Sequence, residues 1–164
     1  MITSIVPTNW QALQLKVGRI LSECGFSVKV EEKVRTVRGE VEVDVYAVED
    51  LGDRKYTIVC ECKHWKRPVP QTIVHGFRTV VSEMGANAGY IVSLAGHQAG
   101  AFSASTDTNI ELVTWEGFQS KFQRGWLESF FCPSLASRLT SLFCYTDPLV
   151  MFAATERHVD YFPT

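Results

Sequence analysis

YTIVCECKHWKR, residues 56–67, runs from apolar, strand-like residues straight into Glu61-Cys62-Lys63. In an extended strand residues i and i+2 share a face, so Glu61 and Lys63 project to one side and Cys60, Cys62 and His64 to the other. Ordinary strand pairing gives no reason to set a carboxylate beside an ammonium on one face of a mostly apolar strand. The segment is poor in surface residues, which predicts a central strand.

Upstream, EVEVDVYAVED (residues 40–50) alternates with period two, placing Val41, Val43 and Val45 on one face and Glu42, Asp44 and Tyr46 on the other. LGDRK reads as a hairpin turn, so the two strands pair antiparallel, with sixteen residues between Asp44 and Glu61. Asp44 and Glu61 then converge from adjacent strands with Lys63 beside them. Such a set suits Mg²⁺ or Mn²⁺: Mg²⁺ takes hard oxygen ligands and is commonly held by only one or two carboxylates, with water and substrate phosphate completing its shell. The backbone carbonyl of Cys62 is a further oxygen donor. Lys63 would orient or help deprotonate an attacking water, or stabilise charge developing on a phosphate, an arrangement suited to phosphodiester hydrolysis. The plain alternative is a cross-strand ion pair on a solvated sheet face, where such pairs contribute little. The pattern alone leaves both open.

Around these strands, WQALQLKVGRILSECG carries Trp10, Leu13, Val17, Ile20 and Leu21 at helical spacing and reaches a stop signal at Gly25. FSVKVEEKVRTVRG reads as a short alternating strand and a polar loop. After KRPVP breaks the central strand, QTIVHGFRTVVSEMGA is a second amphipathic helix ending at Gly85. GYIVS is a short buried strand, HQAGAFSASTDT a small-residue helix, and IELVTW one more strand. The order α-β-β-β-α-β-α-β predicts an α/β fold, a mixed sheet flanked by helices. From about Glu116 the texture turns helical: EGFQSKFQRGWLESFF, a break at Cys132-Pro133, SLASRLTSLFCYT, then a shorter helix over DPLVMFAATERH. Residues 1–118 are read as one domain, and 119–164 as a helical extension that covers the sheet, mediates self-association or begins a further domain.

The chain has 164 residues, enough for one sizeable core, and its composition of 46% hydrophobic and 21% charged residues is that of a soluble globular protein. No segment has the ~18 uninterrupted apolar residues a membrane helix needs. The start, MITSIVPTNW, lacks the basic and apolar regions of a signal peptide, so a cytoplasmic location is expected. Five cysteines without framework spacing imply that most are reduced, buried thiols, with no disulfide scaffold. A formal net charge of −2 argues against a basic coat for nucleic acid but leaves room for a local patch.

Asp44 followed by Glu61-Cys62-Lys63 resembles the D…(D/E)xK signature of the PD-(D/E)XK nucleases, and the surrounding text resembles their Mrr-like restriction endonuclease branch. The resemblance spans roughly residues 10–118 and rests on blocks in family order: Cys24-Gly25-Phe26, RGEVEVDV, VCECKHW, VPQTIVHGFRTVVSEMGANAGYIVS, HQAGA and NIELVTWEGF. It implies a restriction-endonuclease-type fold and a DNA endonuclease in a restriction or anti-phage setting. Asp44 and Glu61 would hold the divalent metal and Lys63 would assist the water. Gln71 resembles a glutamine that some branches use to contact phosphate or metal-bound water. Many relatives carry a metal-binding carboxylate on the first helix, where this chain offers only Gln11 and Gln14. Glu42 and Glu40 are candidate accessory acids. A double-strand break would require a dimer or two nicks, and a regulatory partner is left open.

Lys66 and Arg67, with Arg35, Arg38 and Arg78, are candidate phosphate contacts and Trp65 a stacking surface for DNA. The same run also reads as a solvated turn. Three ligands on one flat strand diverge, so Cys60, Cys62 and His64 do not read as a zinc site. His75 is within reach of the proposed site on the second helix, but a packed or surface role is the simpler reading. The principal alternative is a catalytically inactive nuclease-fold module for DNA binding or oligomerisation.

Overall fold

The computed structural model describes residues 1–36 and 39–146. Asn9 caps helix α1 (Trp10–Glu23), its side chain accepting the Ala12 N–H at 2.7 Å. Gly25, at φ +99°, turns the chain out of that helix while Phe26 N–H returns to the Leu21 carbonyl. Strands β1 (Ser27–Thr36), β2 (Gly39–Asp50) and β3 (Lys55–Lys63) follow as an antiparallel meander. Helix α2 (Gln71–Glu83), strand β4 (Ala88–Ser93), helix α3 (Ala99–Ser105) and strand β5 (Ile110–Thr114) complete a five-stranded mixed sheet. The strand order is β1-β2-β3-β4-β5, with β3-β4 and β4-β5 parallel, so β3 is central as expected.

Two cores sandwich the sheet. On one face Leu13, Val17 and Leu21 of α1 meet Val45, Ala47, Ile58 and Cys60, together with Trp115 and Phe118 of helix α4 (Trp115–Trp126). On the other, Val74, Phe77 and Val81 of α2 and Ala101 of α3 cover Val43, Val59 and Ile91. Gly89 allows the close approach of α2: a Cβ there would lie 2.7 Å from Val81 Cγ2 and 2.9 Å from Phe77 Cε1.

Three expectations from the pattern are corrected. β1 is a ten-residue strand rather than a short one followed by a loop; its charged side chains are tolerated because it lies at the sheet edge, and its residues alternate between exposed and half-buried. The alternation in β2 breaks at Asp44: Val43 joins the α2 core, whereas Val45 and Ala47 join the α1 core. Opposite Asp44, Glu31 sits at φ +56°, and the ladder between β1 and β2 skips this one pair, running Val30↔Val45 and then Glu32↔Val43. Both strands therefore change face at the same level.

The third correction concerns Cys132-Pro133. The chain stays helical through a π-helical turn (Leu127–Phe131) into helix α5 (Cys132–Thr146). A proline removes one helix N–H and crowds the carbonyl four residues back, and the widened turn just before Pro133 takes up that misfit. Residue 118 falls inside α4, where Phe118 and Gln119 are fully buried. The expected helix over DPLVMFAATERH lies outside the described residues.

Candidate functional site

β2 and β3 pair from Asp50↔Lys55 to Val45↔Cys60 and no further. One more step would set Asp44 opposite Glu61, but there the strands part. The Asp44 carboxylate bridges the gap, accepting the Cys62 N–H at 2.6 Å on Oδ2 and the side-chain amide of Gln14 at 2.8 Å on Oδ1. Gln14 reaches down from α1 and is itself 5% exposed. Of the two glutamines on that helix, it is Gln14 that stands at Asp44.

Glu61 and Lys63 project together from β3, as the alternation requires, and form an ion pair. Burial, followed by the charge of Asp44, pushes the Glu61 carboxyl above its usual range, while Lys63 opposes both. Asp44 and Glu61 are thus electrostatically coupled. Lys63 Nζ also lies 5.4 Å from the centre of the Trp65 ring. On the opposite face, Cys60 and Cys62 are buried beneath α1 and their thiols are pushed up, chiefly by that burial. Such cysteines are inert packing groups rather than nucleophiles.

Two recesses open on either side of this junction. The first, of about 300 Å³, is lined by Trp10, Gln14, Glu31, Glu42, Asp44, Cys62, Lys63, His64 and Trp65. His64 is tied to the Pro7 carbonyl at 3.1 Å. The second, of about 320 Å³, lies between Glu61 and the start of α2, where Thr72, Ile73 and Gly76 form its wall and Glu42 contributes from β2. A separate cleft of about 210 Å³ under the N-terminal segment, lined by Ile2, Ile5, Trp115, Trp126 and Phe130, is more apolar and includes none of these groups.

Gln71 opens α2, but its amide lies against α3, with Oε1 2.9 Å from the place a Cβ on Gly100 would take, and it does not line the Glu61 recess. Its neighbour Thr72 does. Lys66 and Arg67 are exposed just beyond β3, Arg35 lies opposite Glu40 in the β1-β2 ladder, and Arg38 lies outside the described residues. His75 groups with Arg78, Thr79 and Ser82 on the outer face of α2, away from Glu61. Trp10, expected to face the core with Leu13 and Val17, instead lies 49% exposed at the Asp44 recess. Helical spacing groups residues by face without saying where the covering sheet ends, so the first residue of a helix is the one such a pattern misplaces.

Mg²⁺ was expected on Asp44, Glu61 and the Cys62 carbonyl. Among the described residues no group of three or more His, Cys, Asp or Glu side chains is arranged to hold a metal. Asp44 and Glu61 are the carboxylates present for an ion that commonly takes only one or two of them, and α1 presents the Gln14 amide to Asp44 rather than a further carboxylate.

A mixed sheet whose second and third strands part at an acidic pair, with a lysine on the same strand, defines an α/β nuclease fold of the restriction-endonuclease type. The chain belongs to the restriction endonuclease family Mrr_cat, whose profile matches residues 7–121. Among solved structures, the protein of unknown function AF1548 aligns at a TM-score of 0.57 with 22% identity, over 74% of this chain and 66% of that one. The protein VC1899 from Vibrio cholerae aligns at 0.55 with 12% identity, over 73% of this chain and 33% of that one. The chain thus spans under two thirds of the length of the first and a third of the second. At these identities the likeness is one of fold. Comparison with functionally curated proteins gives no match. Among the described residues no helix is long and apolar enough to cross a membrane.

Proposed function

We propose that the protein is a divalent-metal-dependent DNA endonuclease that hydrolyses phosphodiester bonds in a restriction or anti-phage setting in the cytoplasm. The observation that carries this reading is the junction itself: Asp44 and Glu61, coupled across parting strands, beside Lys63, in a chain of the restriction endonuclease family. Asp44 and Glu61 would hold Mg²⁺ or Mn²⁺, with the Cys62 carbonyl as a further donor. The cation, when bound, activates water and neutralises phosphate charge. Lys63, paired with Glu61, would position or activate the attacking water, or stabilise the charge that develops on the phosphate. The Gln14 amide and the Cys62 N–H fix both oxygens of Asp44 in place. Lys66, Arg67 and Arg38 are proposed phosphate contacts and Trp65 a base contact. With the Gln71 amide turned to α3, Thr72 is the better-placed polar group at the head of α2.

Supercoiled plasmid incubated with Mg²⁺ or Mn²⁺ tests this. Nicking or linearisation by the parent protein, abolished in both Asp44→Ala and Lys63→Ala, is expected. Intact plasmid with both metals, together with no Asp44-dependent heat of Mn²⁺ binding, would instead identify an inactive module that retains the fold.

A further inference from the structure

Trp10 and Trp65 stand at the same recess as Asp44 and Lys63, one from the first residue of α1 and the other from the segment after β3. The two residues are 49% and 42% exposed, and among the described residues neither packs against another aromatic ring. A single exposed apolar side chain needs no explanation. Two large uncovered rings in one polar recess, beside the lysine proposed to face the scissile phosphate, do.

A flat π surface of this kind is the usual platform for a nucleobase, and base stacking on aromatic side chains tolerates any sequence. The volume of about 300 Å³ is at the lower end of pockets that hold small organic molecules, room enough for a single base. In intact B-form DNA every base is already stacked and paired, whereas an unpaired base is free to enter at little cost. Lys63 Nζ, 5.4 Å from the Trp65 ring centre, links the stacking surface to the reacting end of the site.

We infer that Trp10 and Trp65 form a slot for an unstacked base beside the scissile phosphate, and that the preferred substrate is therefore DNA single-stranded or locally unpaired at the cut. The inference rests on the nuclease reading for the identity of its ligand, but its test does not depend on cleavage. In metal-free buffer, an oligothymidylate single strand is titrated against the protein, with tryptophan emission and fluorescence anisotropy recorded, and a duplex of equal length is titrated in parallel. Quenched emission and tighter binding of the single strand are expected. Trp10→Ala and Trp65→Ala each lower single-strand affinity roughly ten- to a hundredfold, and Trp65→Phe, which keeps a stacking face, recovers most of it. Circular dichroism confirms that each variant is folded. Equal affinity of the parent for single strand and duplex, or parent-like single-strand binding by both alanine variants, overturns the slot. Plasmid cleavage without single-strand preference removes the slot alone, while quenching single-strand binding by a protein that cuts nothing removes only the nuclease reading.

Discussion

The Asp44 carboxylate accepts the backbone N–H of Cys62 across the gap where β2 and β3 separate, at 2.6 Å. This bond replaces the ladder that ends one residue earlier, so Asp44 has a structural role as well as its proposed metal-binding one. Removing it leaves the Cys62 N–H and the buried Gln14 amide without their acceptor. Asp44→Ala is expected to lower unfolding free energy by about 1–3 kcal/mol, the usual cost of stranding a buried polar group. Urea unfolding measures this directly; an unchanged midpoint would show that the parted strands need no bridge.

Gln14 donates its side-chain amide from α1 to Asp44 at 2.8 Å. Gln14→Glu removes that donor and sets a third negative charge beside Asp44 and Glu61. Without metal the variant melts below the parent, because like charges crowd a poorly solvated site. With Mn²⁺ it binds more tightly, since hard oxygen ligands are what such a cation seeks. Calorimetric titration and melting in chelator check the two signs. Weaker Mn²⁺ binding would show that Gln14 does not point at the metal position.

The second core depends on a close approach at Gly89. Gly89→Ala drives a methyl into Val81 and Phe77 and is expected to cost about 1–3 kcal/mol, as overpacking does in a filled interior. Because α2 also carries Thr72 and Gly76 along the Glu61 recess, the shift should alter the proposed cleavage as well as unfolding. Parent-like denaturation would mean that α2 moves away freely.

Much of this architecture is legible in the sequence because its signals are local. Hydrophobic spacing and Gly25 and Gly85 mark the two helices, and the face-sharing of Glu61 with Lys63 follows from strand geometry alone. The break in alternation at Asp44 is not legible in that way. It depends on Glu31, thirteen residues earlier, adopting a left-handed conformation that no glycine announces. The exposure of Trp10 and the turn of Gln71 toward Gly100 are likewise set by where sheet and helix edges fall, which periodicity does not encode. The helical passage through Pro133 escapes the sequence because proline ordinarily signals a helix end, whereas here a π turn precedes it and the chain continues helical.

Glu61 supplies a prediction with opposite signs in the two metal states. Burial and Asp44 raise its pKa in the folded protein, so the folded state binds its proton more tightly than the unfolded chain does. The stability gained from that proton is fully present below the ordinary glutamate pKa and is lost as pH rises through the raised one. At neutral pH without metal, ionised Glu61 therefore weakens the fold, and Glu61→Gln, which carries no charge, should melt higher than the parent. The gap should close as pH falls below the ordinary glutamate range. If Glu61 holds the metal as proposed, adding Mg²⁺ should reverse the order, because a cation bound only by the native state stabilises the ionised carboxylate. Melting curves across pH, in chelator and in Mg²⁺, read both effects. A variant that melts below the parent in chelator at neutral pH would show that the Lys63 ion pair outweighs burial and the charge of Asp44.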